Sequence, residues 1–223
     1  MTAIVRWHVT LALALLLAAL ALGVVAALAY LSPEAAVLPF QQLRPMHVSA
    51  ALFWIITGAS AVVLRFKADA FGASRSMALH AAFLVVWSVS LVLVFGSYSA
   101  MRFGGREYWE FPPIIGIPLL GAWLLLLLDY LRSWYRRASD PPLYVWQWTT
   151  GVVFFLITFL EQNLWQIPWF RENYMRELIV QWKSNGAMVG AWNQMIYGTA
   201  LYLMVRISGD DGLARGPRAF AFW

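Results

Sequence analysis

This 223-residue chain has three histidines and no cysteine. Of the three, His47 is the one placed for chemistry. It stands in Leu43-Arg44-Pro45-Met46-His47-Val48-Ser49, at the head of an apolar run that continues to Leu64. An imidazole one turn inside such a run is costly unless something uses it, and neutral imidazole is the commonest metal ligand, to haem iron among others. Arg44, three residues earlier at the water boundary, carries the charge to neutralise a haem propionate. The lack of cysteine excludes disulfides, thiolate metal sites and covalent haem attachment through the chain's own thiols.

A second polar cluster, Gly104-Gly105-Arg106-Glu107-Tyr108-Trp109-Glu110-Phe111-Pro112-Pro113, separates two later apolar runs. Its glycines let backbone fold closely over a buried polar group. Arg106 can bind a propionate, and Glu107 or Glu110 a hard cation such as calcium. A solvated turn with an Arg–Glu pair is the plainer reading. Glu161 is either a functional intramembrane carboxylate or a hydrated interfacial one. Asn185 and Asn193, eight residues apart and so near one helical face, read as interhelical hydrogen-bonding groups, because carboxamides are poor ligands for copper or iron. His8 and His80 fall at the other ends of their runs from His47, some 30 Å away in depth over roughly 20 residues of helix. They read as interfacial or helix-packing residues. Met101 is the in-chain alternative at the right depth, and a single axial ligand from this chain, His47, is the expectation.

Membrane helices must position these groups. The chain is 61% hydrophobic and 12% charged, with a mean hydropathy of +0.65; a soluble domain carries about twice that charged fraction. Apolar runs of roughly 20 residues recur, each able to cross a hydrocarbon layer about 30 Å thick. The pattern predicts an all-α integral membrane protein, a six-helix bundle in one domain over 1–223, with spans about 9–31, 46–65, 78–100, 113–132, 145–167 and 184–206. The first run is longer than a signal-peptide core and reads as a retained helix, although Ala27-Leu28-Ala29 resembles a cleavage site. With both termini inside, ten Lys and Arg fall on inner segments, including Arg65, Lys67, Arg75, Arg136 and Arg137, against six outside. That favours N-in, C-in in a bacterial inner membrane. The pI near 9.7 therefore reports topology and not a nucleic-acid partner. Trp and Tyr at span ends, Trp7, Tyr98, Trp109, Trp146 and Trp169 among them, read as interfacial belts.

Leu43-Arg44-Pro45-Met46-His47, then Gly105-Arg106-Glu107-Tyr108-Trp109-Glu110-Phe111-Pro112, then Trp192 through Gly209, resemble the large subunit of bacterial nitric oxide reductase. More loosely they resemble the catalytic subunit of the C-family haem-copper oxidases. Order, spacing and predicted membrane side agree over nearly the whole chain, which is similar to helices one to six of a twelve-helix bundle. The resemblance implies that His47 matches one axial ligand of the low-spin b-type haem. It also implies that Glu107 matches the loop glutamate that binds calcium between propionates, with Arg106 beside it. The departures are on the sixth helix. Asn185 stands where the family has a metal-site histidine, and Val189 and Asn193 stand where nitric oxide reductases have two glutamates.

The expectation is a haem-copper-oxidase-like membrane subunit. It would hold or flank a b-type haem through His47 and take part in electron transfer in a larger respiratory complex, with no dinuclear centre, copper or non-haem iron of its own and no catalysis alone. Membrane lipid surrounds it, and an obligate membrane partner, a second-half subunit or another copy, supplies the second haem ligand. Two alternatives stand beside this reading: a haem-free structural or assembly subunit, and the N-terminal half of a split reductase or oxidase.

Overall fold

The computed structural model describes residues 3–71, 77–135 and 140–223. Arg75, Arg136 and Arg137, three of the cations behind the expected topology, lie outside the described residues. The long helices are α1 (Ala3–Leu31), α2 (Phe40–Phe71), α3 (Met77–Ser99), α4 (Gly116–Tyr135) and α5 (Leu143–Gln162). A short α6 (Pro168–Arg171), the long α7 (Tyr174–Ser208) and two tail helices, α8 (Gly212–Arg215) and α9 (Pro217–Phe222), follow. No strand occurs among the described residues, so the chain is all-α.

Five segments are long and apolar enough to cross a membrane: Ala3–Leu31, Phe40–Phe71, Met77–Ser99, Pro113–Trp134 and Leu143–Gln166. This is a membrane protein. The sixth expected span, 184–206, falls inside α7, which has 35 residues but is not among the five. Lys183, Asn185, Asn193 and Gln194 dilute its apolar character. The second span also differs, since α2 runs from Phe40 to Phe71 where 46–65 was expected. Polar residues at both ends find partners that extend the helix. Gln42 Nε2 donates to the Tyr98 and Ser99 carbonyls at 2.9 and 3.2 Å, and Arg65 pairs with Asp69 one turn on at 2.7 Å.

The chain divides into two compact units. The first comprises Met1–Ala61 and Met77–Leu125. In it α1 buries Val5, His8, Ala12, Leu15, Ala19 and Ala26, spaced by three, four or seven residues along one helical face. Leu13, Leu17, Leu20, Val24 and Leu28 face outward. Small residues at the contact let backbones approach, the usual solution where lipid removes the hydrophobic drive for helix association. The centre of this unit is aromatic. Trp87 lies 5.6 Å from Phe53 and 6.1 Å from Trp123 between ring centroids, and its indole N–H donates to Thr57 Oγ1 at 2.9 Å. Tyr98 and Trp109 belong to this interior and not to an interfacial belt, being 0% and 5% exposed. Trp7, Trp146 and Trp169 are exposed.

The second unit comprises Val62–Ser76 and Leu126–Trp223, and α5 against α7 is its main contact. Two glycines set that approach. A Cβ on Gly151 would lie 2.7 Å from the Ala191 carbonyl oxygen, and one on Gly198 would lie 2.8 Å from the Tyr144 carbonyl oxygen. Trp148 Nε1 donates to Thr199 Oγ1 at 3.1 Å, and Ser184 Oγ donates to Gln162 Oε1. These four side chains, with the Glu161–Lys183 ion pair, make polar contacts between α5 and α7, where Asn185 and Asn193 were expected to hydrogen-bond. Asn185 Oδ1 is instead buried with no hydrogen-bond partner among the described residues.

Candidate functional site

His47 sits in the second turn of α2, partly buried. Its Nδ1 lies 2.8 Å from the Ala19 carbonyl oxygen of α1. A carbonyl only accepts, so Nδ1 carries the hydrogen, and the neutral ring keeps its lone pair on Nε2. This is the outer-shell arrangement found behind metal-ligating histidines, where a bond to a backbone carbonyl fixes tautomer and ring plane. Gly23, one turn along α1 from Ala19, makes room for the ring. A Cβ there would lie 2.8 Å from His47 Cε1 and 2.9 Å from Nδ1. Ala19 and Gly23 were not legible as site residues, because nothing in the sequence says which face of α1 meets His47.

The loop after α3 folds back on itself. Gly104 and Gly105 N–H both donate to the Glu110 carbonyl, at 3.0 and 3.2 Å, and Trp109 N–H donates to the Arg106 carbonyl at 2.8 Å. Tyr108 takes a left-handed φ of 71° at the turn. Gly105 is required, because a Cβ would collide with the Trp109 carbonyl oxygen. Trp109 and Phe111 anchor the loop in the first unit's interior, 5.5 and 6.4 Å from the Phe53 ring centroid. Arg44 is joined to this loop through a 2.5 Å ion pair with Glu110. The pair links the turn before His47 to the Gly-Arg-Glu loop.

The residues named for a cofactor therefore divide. His47, Arg44 and the loop belong to one unit, and the His47 ring has the tautomer that a haem iron needs. Glu110, named above for calcium, is paired through its carboxylate with Arg44. Glu107 is exposed, Arg106 is partly buried, and no three His, Cys, Asp or Glu side chains converge as a metal site among the described residues. Met101 is 50% exposed at a left-handed φ of 54°. Glu161 forms a 2.5 Å pair with Lys183, which makes it an interhelical ion-pair partner.

Two polar clusters were not anticipated. His8 and His80, expected as separate interfacial or packing residues, are 0% and 5% exposed and meet each other. Ser60 Oγ donates to the Thr57 carbonyl at 3.0 Å and so must accept from His8 Nε2–H at 3.2 Å. His8 Nδ1 is then an acceptor for His80 Nε2–H at 3.0 Å. One directed chain of hydrogen bonds links α3, α1 and α2. Lys67 was expected as a cytoplasmic loop cation, but it lies inside α2 with a side chain 2% exposed, paired with Asp129 of α4. The available signal was Asp129 itself, an acid directly after five leucines.

No protein-family model and no curated protein sequence matches this chain.

Proposed function

We propose that the chain is a haem-copper-oxidase-like membrane subunit that holds one face of a b-type haem through His47 and passes electrons within a larger membrane complex. The observation that carries this reading is the Nδ1–H of His47 bonded to the Ala19 carbonyl, with Gly23 leaving space for the ring. That bond leaves Nε2 as the nitrogen of the ring whose lone pair can be given to a metal. A b-type haem held there supplies one-electron redox chemistry. This chain's own residues orient the imidazole, set its tautomer and bring Arg44 and Arg106 near the same end of α2. In this reading α7 is the sixth span, the membrane is the bacterial inner membrane with both termini inside, and a membrane partner would supply the second haem ligand. Asn185, Val189 and Asn193 offer no second metal site, so reduction of oxygen or nitric oxide is not assigned to the chain alone.

The competing reading is a haem-free structural subunit. It is favoured by the Arg44–Glu110 pair, which leaves the arginine satisfied without a propionate. A reduced-minus-oxidised visible spectrum of the assembly purified through a tag on this chain separates the two. The haem reading expects a b-type band that is lost in His47→Ala. A wild-type assembly with no haem supports the structural subunit.

A further inference from the structure

Lys67 of α2 and Asp129 of α4 are 2% and 1% exposed, and both lie within helices apolar enough to cross a membrane. Nζ stands 2.5 Å from Asp129 Oδ2 and donates to the Asp129 backbone carbonyl at 3.0 Å. Ser133 Oγ donates to that same carbonyl at 3.0 Å. Asp129 Oδ1 is buried with no hydrogen-bond partner among the described residues. An ammonium carries three N–H donors and a carboxylate about four acceptor positions, so these contacts leave acceptor capacity open on the acid.

A clamp between helices does not by itself account for the pair. Desolvating two opposite charges costs about as much as their attraction returns, and apolar residues of equal volume hold helices together at least as well. Intramembrane charges are retained where they handle ions or protons. Of the charges around the pair, the two on α2 cancel each other and one on α4 does not. On α2, Arg65 and Asp69 are paired with each other at 2.7 Å, and from α7 Tyr202 faces those two. On α4, Arg132 is the further charge that acts on Asp129, and the Tyr130 hydroxyl donates to the Val145 carbonyl of α5 at 3.1 Å.

We propose that Lys67 and Asp129 form an intramembrane proton-binding site, in which a proton passes between Nζ and the carboxylate and exchanges with water at Asp129 Oδ1. In the transfer an Nζ–H bond breaks and an O–H bond forms on Asp129. The electron pair stays on nitrogen, so ammonium and carboxylate become amine and carboxylic acid with no change in net charge. Water exchanges the acid proton for one of its own, and return of a proton to Nζ restores ammonium and carboxylate with no oxidant or reductant. The site is twenty residues along α2 from His47 and does not depend on a haem being there.

The chain contains two lysines, Lys67 and Lys183, so nitrogen-15 lysine labelling of the full chain in lipid bilayers gives two ζ signals in solid-state NMR. Lys183, 67% exposed, supplies the ammonium reference, and Lys183→Arg assigns the remaining signal. The expected result is a Lys67 signal displaced from the ammonium position toward the amine, with ζ protons that exchange promptly on transfer to heavy water. A Lys67 signal coincident with that of Lys183 overturns the proposal, as do ζ protons that stay protected while the chain is folded. Asp129→Asn should move the Lys67 signal further, to the full amine position, because a buried lysine without its counter-charge gives up its proton. A folded Asp129→Asn chain with the wild-type Lys67 signal also overturns it, and if that variant does not fold, the wild-type spectrum decides alone.

Discussion

His47 differs from the other two histidines in what its nitrogens meet. His8 spends both nitrogens on Ser60 and His80, whereas His47 spends Nδ1 on the Ala19 carbonyl. Gly23→Ala tests the seat directly, since the added Cβ would lie 2.8 Å from the ring. The ring must move or α1 must shift, and overpacking of this kind costs about 1–3 kcal/mol. Unfolding in detergent should show that loss, and the spectrum assigned to His47 should weaken with it. Lys67→Met should cost about 3–5 kcal/mol because it leaves a buried carboxylate without its partner, and adding Asp129→Leu should recover most of that. A double-mutant cycle measured by thermal unfolding decides it. His47 stands out in the sequence because its cost is local, a polar ring in an apolar run. Lys67 was misread because its neighbours Arg65 and Asp69 resemble a loop. Only the acid on α4 reveals that the helix continues through them.

The loop between α3 and α4 is a built turn, held by the Glu110 carbonyl, Gly105 and two buried aromatic rings. Gly105→Ala should release Trp109 and Phe111 from beside Phe53 and open the loop to protease, with cleavage between Arg102 and Glu110 that the wild-type chain resists. The glycines of the turn were readable from the sequence. The partner of Glu110 was not, because Arg44 is 66 residues earlier in the chain. The α5–α7 contact shows the same limit. Its glycines, Gly151 and Gly198, are ordinary in apolar helices until each is seen against a backbone carbonyl of the facing helix.

For the whole molecule, composition alone gave the membrane class and the long helices, since apolar length is additive along the chain. It did not fix the number of crossings, because α7 mixes polar residues with its apolar ones. The lack of native cysteine makes that number measurable with single engineered thiols. With α7 crossing, Ser32→Cys and Ser208→Cys should label from opposite sides of the membrane. Labelling from the same side would reduce the count to five. A partner follows from the haem reading, because one imidazole fills one axial position. The chain should purify with a second membrane protein, or another copy of itself, whose removal releases the haem.

The central claim is that His47 ligates a b-type haem, and imidazole rescue tests it most directly. The assembly carrying His47→Gly should lack the b-type band assigned to this subunit and regain it when free imidazole is added, since the small ligand can occupy the space the side chain left. A His47→Gly assembly with the full wild-type band before any imidazole is added would contradict the account.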